Sequence, residues 1–213
     1  MGSPVATFLL VGDQPWAKKM VKSINLVTGY PVVQLSDQTT PRVYGTDDIV
    51  RLPMNEPLMP YRLKHLARCP YDKWVTFDTD ILIKKRFDDV WGRQFDVALT
   101  QRLHGKCMTP DGHDIAPMMP FNTGVMFSRQ PDFWYECYNW LCKQDKPSQD
   151  WWGDQLAVAH VAKLMKYHVL VLPGDEFNWT PETREETSDK ARIWHYKGVN
   201  RKAWMMEEVA RHN

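Results

Sequence analysis

The chain has 213 residues, enough for a full α/β core without disulfides or a structural metal. Its 27 lysines and arginines stand against 26 aspartates and glutamates, so a net charge of +1 gives no global field to recruit nucleic acid or an acidic membrane. The first apolar run, Val5–Val11, is too short for a membrane span and has no basic leader.

Met1-Gly2-Ser3-Pro4 has the composition of an expression scar and carries no structural weight, leaving one domain over 1–213. Val5–Val11 reads as a first strand ending at Gly12-Asp13-Gln14. Trp16, Met20, Ile24 and Val27 then make an apolar stripe at helical spacing, stopped by Gly29. Pro31–Leu35 and Asp48–Leu52 read as strands, and this opening argues for a parallel, doubly wound sheet with helices on both faces. Pro60 opens a helix with Leu63, Leu66 and Ala67 toward the core, Arg62 and His65 largely away from it, and Arg62 or Lys64 free to reach a phosphate or carboxylate. Phe95–Gln101 is a strand, Arg102–Pro120 a long irregular segment suited to a lid or acceptor loop, and Phe121–Ser128 a strand interrupted by Asn, Thr and Gly. Helices follow from Pro131, with Trp134, Cys137, Tyr138 and Leu141 on one face, and from Asp150 as a cap, with Trp152, Leu156, Ala159 and Leu164. Val169–Leu172 and Arg192–His195 are the last strands, before a terminal helix. Cys69, Cys107, Cys137 and Cys142 form no CxxC pair, so reduced thiols in a cytoplasmic protein are the expectation.

The chain centres on Lys73–Ile83, where a buried apolar strand delivers Asp78 and Asp80 to the edge of the sheet at which ligands bind. Two adjacent carboxylates repel each other unless a cation or donors neutralise them. A divalent cation that also holds a substrate's phosphates would do so, which points to a metal-dependent enzyme acting on a nucleoside diphosphate compound. The bland reading is a strand ending in a capped turn.

Four pieces in order, Phe77-Asp78-Thr79-Asp80, Phe121-Asn122-Thr123-Gly124-Val125, Trp152-Gly153-Asp154-Gln155 and His195-Tyr196-Lys197-Gly198, resemble a small glycosyltransferase of the GT-A fold. The pattern is similar to glycogenin and the bacterial lipopolysaccharide galactosyltransferases. The resemblance implies that Asp78, Asp80 and His195 hold a metal, Mn²⁺ or Mg²⁺, with the imidazole favouring Mn²⁺. It implies that Lys197, Gly198 and Arg201 embrace the diphosphate of a sugar nucleotide, with uridine as its base. It assigns Asn122 to the face of the transferred sugar, and Asp154 and Gln155 to its hydroxyls near the reaction centre. Asp13 would hold the base or ribose. Relatives usually carry Lys where Arg201 stands, followed by Pro and Trp, whereas this chain continues Lys202-Ala203-Trp204. Retention of the anomeric configuration is implied as well.

The acceptor stays open among a glycan, a lipid-linked saccharide, a protein side chain and a modified DNA base. Two rival readings also stand: a haloacid-dehalogenase-like phosphatase, whose Asp-x-Asp normally follows the first strand, and a nucleotide- or sugar-binding protein without turnover.

Overall fold

The computed structural model describes residues 2–103, 105–109, 111–150 and 152–208. Its elements in chain order are β1 (Val5–Leu10), α1 (Ala17–Val27), β2 (Val32–Ser36), β3 (Asp48–Arg51), α2 (Leu58–Ala67), β4 (Trp74–Phe77), β5 (Ile81–Ile83), β6 (Val97–Gln101), β7 (Phe121–Ser128), α3 (Pro131–Leu141), α4 (Gly153–Lys163), β8 (Val169–Leu172), α5 (Gly174–Phe177), β9 (Ile193–His195) and α6 (Val199–Glu208).

Seven strands form one sheet in the order β3-β2-β1-β4-β7-β6-β8, with β7 running against the other six. Alternation along each strand divides the core into two layers. Ala6, Phe8 and Leu10 of β1, Val75 and Phe77 of β4 and Val125 and Phe127 of β7 pack with Met20, Val21 and Ile24 of α1. Val5, Trp74, Met126, Val97 and Leu99 pack on the other face with Leu63 and Leu66 of α2, Phe133, Trp134 and Cys137 of α3, and Val158 and Val161 of α4. Each buried Leu, Ile, Val or Phe side chain is worth about 1.5–3 kcal/mol, so these layers dominate the stability. This is the mostly parallel, two-sided α/β architecture that the apolar runs imply.

Two irregularities build the site. After β4 the chain turns through Asp78–Asp80 and leaves the sheet as β5, which pairs antiparallel with β9 in a separate two-stranded ribbon. In the main sheet the β6–β7 register jumps: Leu99 lies opposite Met126 but Thr100 opposite Asn122, leaving Thr123, Gly124 and Val125 without a partner on β6.

Several local expectations are corrected. The helix expected from Pro60 begins at Leu58, with Pro57 as N-cap, so Pro60 falls inside the first turn, where its missing N–H costs nothing. His65 is 1% exposed and the Arg62 side chain 11%. Arg62 is covered where it meets Asp154 of α4 and Thr123 of β7, and His65 where it packs against Tyr61 beside the Ser36 backbone, so α2 buries more than one stripe. Asp150 makes no side-chain cap; α4 starts at Gly153 with Trp152 before it. Its buried residues are Gly153, Asp154, Ala157, Val158, Ala159 and Val161; of the expected stripe Ala159 is buried, Trp152 and Leu156 are only half-buried, and Leu164 is exposed. The segment expected to be irregular holds a Met108–Asp114 bridge and a 3₁₀ turn at Ala116–Met118. Its His104 and Pro110 lie outside the described residues, as does Met1. All four cysteines are free thiols. No described helix is long and apolar enough to cross a membrane.

Candidate active site

β4 is hydrogen-bonded on both sides, to β1 and to β7, and its four residues are buried. Its ladder continues one step beyond Phe77, where the Asp78 N–H donates to Gly124 O at 2.9 Å. The turn that follows is clamped from two directions. Thr79 Oγ1 meets the Gln14 side chain and accepts from Trp16 Nε1 at 3.1 Å, both on the β1–α1 loop. Asp80 O accepts the Tyr196 N–H at 2.8 Å. The β5–β9 register then sets Ile81 opposite His195, bringing a residue 115 positions downstream of Asp80 alongside it.

One ligand atom each from Asp78, Asp80 and His195 fall within 4.8 Å of one another. His195 Nε2 lies 3.1 Å from Asp80 Oδ1 and 3.5 Å from Asp78 Oδ2. Two carboxylates with one imidazole, partly open at Asp78 and buried at the other two, form a donor set that fits Mn²⁺ or Mg²⁺. Burial works against the charge on Asp80, but His195 and Lys202 outweigh it and hold its carboxyl below the ordinary range.

His195 is 3% exposed, its Nδ1 bonded to Asn178 Oδ1 at 2.7 Å. Its ring lies over the backbone of β7, and a Cβ at Gly124 would sit 2.6 Å from Nδ1, so only glycine leaves room for the imidazole.

Behind Asp78 lies a buried cation. Arg62 reaches Asp78 Oδ1 at 2.7 Å, Asp154 Oδ2 at 3.0 Å and Thr123 O at 2.7 Å. Burial disfavours its charge, yet the two aspartates raise its pKa overall. Asp154 is 1% exposed; burial pushes its carboxyl above the usual range against the pull of Arg62 and of the Thr123 hydroxyl, which donates at 2.8 Å. Its Oδ1 accepts the Gln155 N–H at 2.8 Å. Both Asp154 oxygens are thus engaged within the protein.

Opposite these acids lie the cations of the C-terminal segment. Lys202 Nζ is 3.4 Å from Asp80 Oδ2 and 4.7 Å over the Trp16 ring. Burial and nearby Arg102 depress the Lys197 ammonium to about 8, with Asp78 and Asp80 opposing and Arg201 adding to the repulsion. Arg201 Nε donates to Pro181 O at 2.6 Å. Gly198 adopts φ +83°, in the left-handed region that glycine tolerates, just before α6 begins. Arg102 donates to Met119 O at 2.8 Å and to the Gln155 side chain, tying the 102–120 segment to α4.

The structure therefore gathers Asp78, Asp80, His195, Arg62, Asp154 and Lys197 into one charged cluster, with Gln155 and Asn122 at its margin. Asn122 Oδ1 accepts from Gly124 N–H and from Asn178 Nδ2. Asp13 is exposed on the β1–α1 loop. Trp16, Arg102, Asn178 and Lys202 were not singled out from the sequence. A tryptophan at a helix start and a lysine in a terminal helix carry no chemical signature until the fold assembles them.

No family model matches the chain, and no curated protein matches it by sequence. Among solved structures, a glycosyltransferase involved in the glycosylation of the major capsid of PBCV-1 superposes with a TM-score of 0.61 at 14% identity, over 97% of this chain and 100% of that chain. A likeness at that identity is one of architecture, and it shows that the chain has a GT-A-like α/β fold shared with a glycosyltransferase.

Proposed function

We propose that the protein is a metal-dependent glycosyltransferase, a single domain over 1–213, that moves a sugar from a nucleoside diphosphate sugar to an acceptor hydroxyl. The observation that carries this reading is the convergence of Asp78, Asp80 and His195 at the end of β4, facing Lys197 and Lys202, in a glycosyltransferase-like sheet. A divalent cation held by those three residues would offset the negative charge that builds on a departing diphosphate. Lys197 and Arg201 bring cationic donors to the same oxygens, and Gly198 lets the chain bend toward them. Arg62, clamped by Asp154, fixes the Asp78 carboxylate. Asn122 and Gln155 offer amides to the transferred sugar, and Asp13 the base or ribose.

The finer reading follows the resemblance to glycogenin and the lipopolysaccharide galactosyltransferases: a uridine diphosphate sugar, Mn²⁺ before Mg²⁺, and retention. The acceptor approaches over the 102–120 segment, which Arg102 pins beside Gln155. Unpaired thiols favour the cytoplasm. A phosphatase of the Asp-x-Asp type carries its motif after the first strand, whereas here β1, β2 and β3 precede β4, and it leaves His195 without a role.

The test is thermal stabilisation by a panel of nucleoside diphosphates with and without Mn²⁺, on the wild type and Asp80→Ala. A nucleotide at ~100 times its Kd adds about 2.7 kcal/mol. Uridine diphosphate is expected to stabilise only with Mn²⁺ and only the wild type. Stabilisation by a phosphate-mimicking metal fluoride, with no nucleotide effect, would replace the transferase reading with the phosphatase one.

A further inference from the structure

His195 has two ring nitrogens, and only one can face the carboxylates. Nε2 does so, while Nδ1 lies 2.7 Å from Asn178 Oδ1. Asn178 is 2% exposed, so its amide must find partners inside the protein. Which way round the amide sits is fixed by what surrounds it. Its Nδ2 faces Asn122 Oδ1 at 2.7 Å and Thr100 Oγ1 at 3.0 Å. Asn122 Oδ1 also receives the Gly124 N–H at 2.9 Å, which identifies it as the oxygen end of that side chain. Thr100 gives its hydroxyl hydrogen to Asn122 O at 2.8 Å and offers Asn178 only lone pairs. A reversed Asn178 would turn its oxygen onto two acceptors. The oxygen therefore points at His195, and since it only accepts, the hydrogen lies on Nδ1.

We propose that Asn178 is the positioning residue of His195: by accepting Nδ1–H it fixes the ring's rotation and turns Nε2 toward Asp78 and Asp80. This rests on reading those three residues as a divalent-cation site. Imidazole ligands are commonly held through their second nitrogen, and losing that partner costs roughly 10- to 100-fold in metal affinity. Here the partner is a neutral amide in place of a carboxylate, and it is itself clamped by the register jump that brings Thr100 opposite Asn122.

The test is calorimetric binding of Mn²⁺ alone to the full chain. Asn178→Leu removes the acceptor and is expected to weaken Mn²⁺ by roughly 10- to 100-fold. Asn178→Asp keeps an oxygen toward Nδ1 and is expected to bind at least as tightly as the wild type, although both variants lose the bonds to Thr100 and Asn122 and melt earlier. That split separates positioning from mere packing. Wild-type affinity in Asn178→Leu, or equal losses in both variants that track their melting temperatures, would overturn the proposal. If Asn178→Leu does not fold, nitrogen NMR of the metal-free wild type decides, with a proton expected on His195 Nδ1 where Asn178 Oδ1 accepts it; an unprotonated Nδ1 overturns the proposal. A wild type that binds no Mn²⁺, or an Asp80→Ala variant that binds it equally well, fails the cation reading itself and is distinguishable from failure of Asn178.

Discussion

Lys202 Nζ lies 3.4 Å from Asp80 Oδ2, the oxygen opposite the one that meets His195. The ammonium thus sits beside the cluster where a divalent cation would bring like charge. Lys202→Met is expected to tighten binding of Mn²⁺ alone by roughly three- to tenfold, within the ~1 kcal/mol range of such partly solvated pairs. The same substitution is expected to weaken uridine diphosphate binding in the presence of Mn²⁺. Calorimetry in both orders checks it; unchanged Mn²⁺ affinity would leave Lys202 as a phosphate contact alone.

Arg62 is shared by Asp78 and Asp154, and removing it strands a charge in the interior. Arg62→Met is expected to destabilise by about 3–5 kcal/mol, read by urea unfolding. The double substitution with Asp154→Leu recovers a large part of that loss, since the most deeply buried carboxylate goes too.

Gly124→Ala places a methyl group against the imidazole. Overpacking of this kind costs roughly 1–3 kcal/mol. The larger expected effect is loss of Mn²⁺ binding in a chain that still folds, because His195 has nowhere to move while β9 remains paired with β5. Circular dichroism and metal titration on one sample check both halves.

His65 gives the fold an acid limb. Burial lowers its pKa from 6.5 to about 4, against Tyr61 at 4.6 Å in an edge-on contact. The unfolded chain therefore binds a proton that the folded chain refuses between those values, so stability is complete above pH 6.5 and falls as pH drops toward 4. The full effect is about 3 kcal/mol. His65→Leu is expected to flatten that part of the stability–pH curve, measured by urea midpoints across the window.

The apolar strands were legible because burial leaves few polar positions to blur them: β7 and β8 fall at the expected residues and β1 and β2 within one residue at their ends, although β8 lies at the sheet edge with Val171 exposed. The aspartate pair was legible for the same reason, as charge ending such a run. Helix faces were read less well. Periodicity assumes one buried stripe, whereas α2 and α4 face each other through Arg62 and Asp154, and His65 turns inward against Tyr61, so all three went inside against their polarity. The pairing of His195 with the aspartates came from resemblance, since nothing local in Ile193–His195 announces β5 as its partner. Asn178 had no signal at all, being one asparagine after a four-residue helix whose role exists only through Thr100 and Asn122.

The three residues that β7 carries in excess of β6 supply nearly every joint of the site: Thr123 O and Oγ1 hold Arg62 and Asp154, Gly124 O holds the Asp78 amide, and Gly124 carries the imidazole. A surplus of this kind comes in whole residues, and each residue added or removed turns the next side chain to the opposite face of the strand. Shortening the excursion by one would put Thr123 or Val125 beneath His195 and leave Arg62 facing the wrong carbonyl, while the hydrophobic layers could still close. The length of this stretch is therefore as strictly specified as its composition, and lineages that diverge freely in surface loops are expected to tolerate no insertion or deletion here.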